Sequence, residues 1–311
     1  MIGPVSDSCS SEPQPEESAG SVVRGVLLSL RPYQWLKNAL VFVPLAAAHR
    51  LGEVTLLANA TRAFFAFGLC ASSIYLINDV WDAPADRLHP HKQSRPIASG
   101  TVPRSLALAL VAPLLAGAAL LVRPLGMHAA ATLLLYLALM SGYTLRLKNV
   151  VLLDSLILAS GYALRVIEGG FAVHIRPSPH LLAFCVFLFF SLALVKRYAE
   201  LALLRLRDGE LTHARGYRLQ DHGFIVALGT TCGALSALVL AMYMTSQTVT
   251  LFYRRAEFIW LTCILLLYWI SHMWLTAHRG GMTDDPLVFA LKNRTSVILI
   301  ALMGATAWLA V

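Results

Sequence analysis

The chain has 311 residues, of which 57% are hydrophobic and only 14% are charged, and its mean hydropathy is +0.65. This composition excludes an ordinary soluble globular protein and indicates a polytopic membrane protein. The formal charge of +8 would suit a nucleic-acid-binding protein, but the positions of the basic residues are better explained by membrane topology. We therefore expect a membrane partner and no nucleic acid.

The amino-terminal segment 1–20 is polar, acidic and rich in Pro and Ser, and it lacks the basic-then-apolar pattern of a signal peptide. It is predicted to be a disordered tail, followed by a single transmembrane domain over 21–311. The first part of that domain, 22–37, mixes apolar and basic positions and contains Tyr33 and Trp35. Such a pattern is typical of an interfacial helix that enters the membrane.

Nine apolar segments follow, and their length and lack of strand alternation predict an all-α fold with about nine transmembrane helices. The approximate bounds are 37–50, 56–80, 105–123, 127–145, 150–169, 180–200, 222–246, 256–278 and 294–311.

The basic residues are distributed unevenly between the two sides of these spans. Eighteen of the 25 lysines and arginines precede the first span or fall in even-numbered loops, and six fall on the opposite side. Because cytoplasmic loops carry an excess of Lys and Arg, the amino terminus and the even loops are predicted to be cytoplasmic, in a cell inner membrane.

The cysteines show no CxxC spacing, and four of the five lie in apolar segments. We expect small buried hydrophobic side chains rather than disulfides or a zinc site. They are Cys9, Cys70, Cys185, Cys232 and Cys263.

The most polar stretch of the chain, SSIYLINDVWDAPADRLHPHKQSRPIASG at 72–100, lies where the second span ends. On a helix, Asn78 and Asp82 share a face with Tyr75. Oxygen ligands on successive turns suit Mg²⁺, which fills its remaining positions with water and substrate phosphate oxygens. The basic run that follows could hold the phosphates.

An alternative interpretation of 72–100 is an ordinary cytoplasmic loop whose acids and bases neutralise one another in solvent. Pro84 is expected to end or kink the helix before Asp86, because proline removes a backbone hydrogen bond. Asp86 is therefore a weaker ligand candidate than Asn78 and Asp82.

Further charged groups fall at the same predicted face of the membrane. In span five, Asp154 and Arg165 are eleven residues apart, so they project from one face, which cannot point at lipid. Span six ends in Lys196, Arg197 and Glu200. The alternative to a binding role is a buried Asp–Arg pair with snorkelling of the two bases at the helix end.

Two later loops are less informative. The loop 201–221 is long and basic, and it could form a short amphipathic helix over the site or contact lipid headgroups. Asp284 and Asp285 precede Pro286, and this order favours a helix start over a second metal site.

The motif at 75–100 resembles the first aspartate-rich motif, NDxxDxxxD, of the UbiA superfamily of intramembrane prenyltransferases, whose architecture has nine helices. Four blocks are similar to decaprenyl-phosphate phosphoribosyltransferases, which transfer phosphoribose from phosphoribosyl pyrophosphate (PRPP) to a polyprenyl phosphate. These blocks are RPYQWLKN at 31–38, HPHKQSRPIASG at 89–100, LRLKNVVLLDSLILASGYALRVIEGG at 145–170 and KRYAEL at 196–201. The similarity spans roughly residues 31–295.

The resemblance implies that Asn78 and Asp82 bind Mg²⁺ and that Asp79 and Asp86 support them as part of the catalytic motif. It also implies a set of residues that contact the donor phosphates or the acceptor phosphate, or line the same cavity, and Asp154 joins them because it shares a face with Arg165. The set is Lys37, Tyr75, Lys92, Arg95, Lys148, Asp154, Arg165, Lys196, Arg197 and Glu200.

The function that the resemblance implies is Mg²⁺-dependent transfer of 5-phosphoribose from PRPP to a polyprenyl phosphate, for cell-envelope glycan synthesis. The alternative enzyme is a prenyltransferase that moves a prenyl group from a prenyl diphosphate to an aromatic or other acceptor. Aromatic prenyltransferases of the superfamily carry a second DxxxD motif, whereas this chain offers Lys196, Arg197 and Glu200 in that region. A transporter or a non-catalytic lipid-binding protein is the third interpretation.

Overall fold

The computed structural model describes residues 19–88, 92–205, 216–244, 255, 257–282 and 285–310, and every secondary-structure element in these ranges is a helix. The α-helices are α1 (Ala19–Leu30), α2 (Val43–Ala47), α3 (Val54–Arg87), α4 (Pro96–Ser99), α5 (Arg104–Val122), α6 (Met127–Leu145), α7 (Leu153–Ala172), α8 (Pro179–Arg205), α9 (His222–Met244), α10 (Glu257–His278), α11 (Pro286–Lys292) and α12 (Arg294–Leu309). Short 3₁₀ segments cover Pro32–Phe42, Arg123–Leu125, Leu147–Asn149 and Leu219–Asp221.

Within the described residues, six helices are long and apolar enough to cross a membrane: α3, α5, α6, α8, α9 and α10. The pair α11 and α12 gives a seventh span if it is counted as one segment bent by 86°. The predicted all-α, polytopic membrane architecture is thus confirmed. The count of nine stays a prediction, because the first predicted span is a 3₁₀ segment followed by α2, and α7 carries three acidic or basic side chains.

The chain turns sharply between α1 and the 3₁₀ segment Pro32–Phe42. Arg31 makes this turn with φ at +51°, in the left-handed region that non-glycine residues seldom occupy. The predicted interfacial helix over 22–37 therefore ends at Leu30, and the next residues lie against α3. There the Trp35 indole donates a hydrogen bond of 3.0 Å to Ser72 Oγ.

Helix α3 carries the acidic motif and continues through Pro84 to Arg87. Of the two expectations for Pro84, an end or a kink of the helix before Asp86, the end is therefore wrong. Asp86 in the last turn is buried and forms an ion pair of 2.7 Å with Arg95. This tertiary contact helps to hold the turn in place, although the proline has removed one of its backbone donors.

Helix α7 lies at the centre of the bundle, and thirteen of its twenty residues are buried. It contributes Val166 to a core cluster formed with α8, α9 and α10, and Leu164 to a second cluster formed with α3 and α6. The polar ends of α3, α6, α7 and α8 meet at one end of this bundle, where they surround a cavity. The four cysteines in the described residues are buried and free, as predicted.

Close packing of α7 against the segment Pro32–Phe42 depends on Gly169, because a Cβ atom there would lie 2.0 Å from the Val41 carbonyl oxygen. We expect Gly169→Ala to lower the free energy of unfolding by about 1–3 kcal/mol, since two backbones must move apart. Thermal unfolding in detergent measures this effect. Gly304→Ala is the matched control: Gly304 is also helical and has no neighbouring atom within 4 Å of its Cβ position, so the control should be neutral or slightly stabilising.

Candidate active site

The cavity has a volume of about 490 Å³ and is lined by side chains from the segment Pro32–Phe42, from α3, α6, α7 and α8, and from the start of α11. Ten of the site residues predicted from the sequence line it, although they come from positions 37 to 200. These ten are Lys37, Tyr75, Asn78, Asp82, Lys92, Arg95, Lys148, Arg165, Lys196 and Glu200.

Asn78 and Asp82 lie one turn apart on α3, and both reach the cavity. Lys148, in the 3₁₀ turn between α6 and α7, donates to both oxygens of the Asp82 carboxylate at 3.0 and 3.2 Å. The Asp82 side chain is 28% exposed, so it remains accessible from the cavity.

The donor chemistry of this pair fits Mg²⁺, which is held by one or two protein oxygens when substrate phosphates and water complete its coordination. No group of three or more His, Cys, Asp and Glu side chains that could hold a metal occurs in the part of the chain that the structure describes.

Asp79 and Asp86 lie seven residues apart on α3, on a face next to that of Asn78 and Asp82, and neither lines the cavity. Both are buried. Asp79 binds Arg31 at 2.6 and 2.8 Å, and Asp86 binds Arg95 at 2.7 Å. The two aspartates therefore fix two arginines at the cavity rather than facing it themselves.

The structure corrects the placement of Asp154 and Arg197, which the sequence analysis assigned to substrate binding. Both are buried outside the cavity lining and form an ion pair of 2.5 Å. Arg197 also binds Glu200, and Tyr217 donates to Asp154 Oδ1 at 2.7 Å. Burial and the adjacent carboxylate raise the pKa of Tyr217 to about 12, so its hydroxyl remains a donor. The alternative interpretation, a buried Asp154–Arg165 pair with Arg197 snorkelling at the helix end, is also wrong in its partners, because Asp154 pairs with Arg197 and Arg197 is buried.

Arg165 is buried at the cavity wall, and the described residues that its guanidinium contacts are neutral. It donates to Asn38 Oδ1 at 2.7 Å, to the Gly161 carbonyl at 2.6 Å and to the Tyr136 hydroxyl at 3.0 Å. Its Cζ lies 4.8 Å from the Tyr136 ring centroid and 5.7 Å from that of Tyr162. No carboxylate of a described residue lies within 4 Å of this guanidinium, so the described groups that compensate its burial are neutral acceptors and aromatic rings.

Asp285 is a cavity residue that the sequence analysis assigned only to a helix start. The helix start is confirmed, because Oδ1 accepts from the Leu287 N–H at 3.2 Å and Pro286 occupies the first helical position. The other oxygen, Oδ2, lies 2.9 Å from Lys37 Nζ and 3.9 Å from Lys196 Nζ. Burial alone would raise the pKa of Asp285, but the two lysines outweigh it and lower the pKa, so the carboxylate is ionised at neutral pH.

Arg31 is the second residue that sequence reasoning missed. It lines the cavity, pairs with Asp79 and lies 5.1 Å from the ring centroid of Tyr75. The block RPYQWLKN contains Arg31, but nothing in that pattern distinguishes it from the interfacial basic residues nearby.

Several residues named from the sequence lie outside the described residues: His89, His91, Asp284 and the loop segment 206–215. The two interpretations of the loop 201–221 therefore stay predictions.

The model of the UbiA prenyltransferase family matches residues 39–290, which is most of the chain. The chain belongs to the UbiA prenyltransferase family. The resemblance inferred from the aspartate-rich motif is thereby confirmed, and the family is one of membrane transferases.

The chain is similar in sequence to relatives that carry several different names. The chain is 33% identical to decaprenyl-phosphate phosphoribosyltransferase of Mycobacterium tuberculosis over 93% of both chains. It is 33% identical to nodulation protein NoeC of Azorhizobium caulinodans over 87% of this chain and 88% of NoeC. It is also 33% identical to the uncharacterized protein y4nM of Sinorhizobium fredii over 91% of this chain. That match covers 55% of y4nM, so the chain spans about half of that relative.

The fold is shared with a solved UbiA homolog from Archaeoglobus fulgidus bound to GPP and Mg²⁺. The TM-score is 0.67 at 16% sequence identity, and the match covers 91% of this chain and 99% of that one. At this identity the likeness shows the fold alone.

The Asp154–Arg197 pair predicts a stability effect. Arg197→Met should lower the free energy of unfolding by about 3–5 kcal/mol, because it leaves the Asp154 carboxylate buried without a countercharge. The double variant Asp154→Asn/Arg197→Met should recover much of this loss. Chemical unfolding in detergent compares the two variants, and equal stabilities would contradict a buried pair.

Proposed function

We propose that the protein transfers 5-phosphoribose from PRPP to a polyprenyl phosphate, giving polyprenyl-phosphoryl-5-phosphoribose and diphosphate for cell-envelope glycan synthesis. The observation that carries the proposal is the set of cations that surround one cavity from separate parts of the chain. A PRPP molecule presents a diphosphate and a 5-phosphate, and the acceptor adds a third phosphate, so anionic groups must be held on several sides. The cations are Arg31, Lys37, Lys92, Arg95, Lys148, Arg165 and Lys196.

Asn78 and Asp82 would hold Mg²⁺, which when bound neutralises charge on the diphosphate leaving group. Lys148 already contacts Asp82, so its ammonium lies beside the same group and can donate to a diphosphate oxygen. Arg95, fixed by Asp86, adds a second donor at this end of the cavity. These preorganised charges favour the state in which the bond from C1 to the diphosphate breaks.

The acceptor requires no general base in this reaction. A phosphate monoester is already ionised near neutral pH, so its oxygen can form the new bond to C1 while the diphosphate leaves with the electron pair. Arg165 has no carboxylate partner among the described residues, and the acceptor phosphate would supply the missing negative charge. A reaction that needs cations for its phosphate groups but no general base is consistent with a cavity rich in Lys and Arg.

Transfer of a prenyl group from a prenyl diphosphate is the second candidate. The cavity also has an apolar part, which could accommodate a prenyl chain of either a donor or a lipid acceptor; it includes Ala71, Ile74, Met140, Leu158 and Leu192. A prenyl diphosphate, however, carries a single anionic headgroup, so several of the cavity cations would have no phosphate group to bind.

Labelled PRPP, Mg²⁺ and a polyprenyl phosphate incubated with purified protein should yield a lipid-linked label. Asp82→Ala should reduce this labelling by several orders of magnitude while the protein stays folded, because losing the metal ligand removes several kcal/mol of transition-state stabilisation. Glu53→Gln is the control, since Glu53 is an exposed carboxylate at the opposite end of α3. Activity of Asp82→Ala within about threefold of the wild type at saturating Mg²⁺ would contradict the metal assignment.

The proposal also requires the cavity to open on the cytoplasmic side, as the distribution of basic residues predicts. In a background that lacks Cys9, a cysteine at the exposed position Asn149 should be shielded from impermeant thiol reagents added to intact cells. A cysteine at Gly52, in the loop at the other end of α3, should react. The opposite labelling pattern would place the cavity on the outer side.

A further inference from the structure

Asp285, Lys37 and Lys196 form a charged cluster in which one carboxylate lies between two ammonium groups. The three residues come from the loop before α11, from the segment Pro32–Phe42 and from α8. All three line the cavity, which also contains the Asn78 and Asp82 pair. Because the three side chains line the cavity, their charges can contact a ligand that binds there.

The Asp285 carboxylate has acceptor capacity that its hydrogen bonds to described residues do not use. Lys37 binds one oxygen and the Leu287 N–H binds the other, while an ionised carboxylate offers about four lone-pair positions. Its side chain is 18% exposed, so the remaining positions can be reached by a ligand. A carboxylate repels phosphate but accepts hydrogen bonds from hydroxyl groups.

The two lysines have the complementary preference, because an ammonium group attracts phosphate oxygens. A ligand that satisfies the whole cluster must therefore carry a phosphate and a hydroxyl group close together. A phosphorylated sugar has both groups, whereas a prenyl diphosphate or a polyprenyl phosphate has no hydroxyl outside its phosphate.

We propose that Asp285, Lys37 and Lys196 form the subsite for the phosphorylated ribose of the donor. The lysines bind the 5-phosphate, and Asp285 accepts a hydrogen bond from a ribose hydroxyl. This inference rests on the proposed function and adds to it a residue that selects the sugar donor. Since a prenyl diphosphate brings charge but no hydroxyl, the uncompensated carboxylate disfavours it.

Asp285→Asn separates this role from helix capping. Asparagine caps a helix as well as aspartate does, and Asn293 already caps α12 in this chain by accepting from the Ser296 N–H at 2.9 Å. The variant keeps the side-chain shape and the helix cap. It loses the negative charge that pairs with the two lysines, and it also loses a strong hydrogen-bond acceptor for the ribose hydroxyl. Asp221→Asn is the matched control, because Asp221 caps a 3₁₀ turn through the Arg218 N–H and does not line the cavity.

The test is calorimetric binding in Mg²⁺ of PRPP, its 2-deoxy and 3-deoxy analogues, pyrophosphate and geranyl diphosphate to the wild type and both variants. Asp285→Asn should weaken PRPP binding about tenfold to a hundredfold, the effect of losing a hydrogen bond to a charged group. Pyrophosphate and geranyl diphosphate should bind as tightly as before or more tightly. One of the two deoxy analogues, which lacks the hydroxyl that Asp285 binds, should bind the wild type about tenfold to a hundredfold more weakly than PRPP does. Because that hydrogen bond is already lost, Asp285→Asn should weaken the binding of this analogue little further.

The other outcomes overturn the inference. If Asp285→Asn weakens all phosphate ligands equally, Asp285 only positions the lysines and does not contact the sugar. If PRPP binding is unchanged, or if both deoxy analogues bind the wild type like PRPP, Asp285 makes no contact with a ribose hydroxyl. Failure of the proposed function differs from failure of this inference and is seen in the wild type alone, which would then bind geranyl diphosphate and not PRPP.

Discussion

Compensation of buried charge is the constraint on which this structure depends. A charged group in a membrane bundle loses the solvation that water would give it, so it needs a countercharge or several donors. In the described residues, Asp79, Asp86, Asp154 and Asp285 each lie within 4 Å of a basic side chain from another part of the chain, whereas the buried carboxyl group of Glu168 has no hydrogen-bond partner among them. These pairs tie the segment Pro32–Phe42, α3, α7, α8 and the start of α11 together at one end of the bundle, and so define the shape of the cavity.

Helical periodicity divides the aspartate-rich motif into two functional halves. Asn78 and Asp82 are four residues apart and face the cavity, whereas Asp79 and Asp86 are seven apart and face the arginines beside it. The first pair is available to a ligand, and the second pair holds Arg31 and Arg95. A motif that reads as one acidic block thus supplies both the candidate metal ligands and the groups that position the surrounding cations.

Membership of the UbiA family and the polarity of the cavity bear on different levels of the function. The family establishes a membrane transferase fold, and a fold by itself does not specify a donor. The donor depends on the site, where lysines and arginines from several elements surround one cavity. Arg165 has aromatic and neutral partners among the described residues, whereas Asp285 lies between two lysines, so the cavity has two chemically different regions.

The sequence alone determined the all-helical membrane class and the burial of the four described cysteines, because hydropathy is a local property that a bilayer enforces. The ten cavity residues followed from the helical spacing of Asn78 and Asp82 and from the resemblance of several sequence blocks to a known family. The sequence also determined the helix cap at Asp285. Tertiary structure decided which charges pair: Asp154 binds Arg197 rather than a ligand, α3 continues through Pro84, and Asp285 meets Lys37 from 248 residues away. Partners so distant in sequence leave no local pattern, since electrostatic compensation depends on distances in space that only the packing of the helices sets.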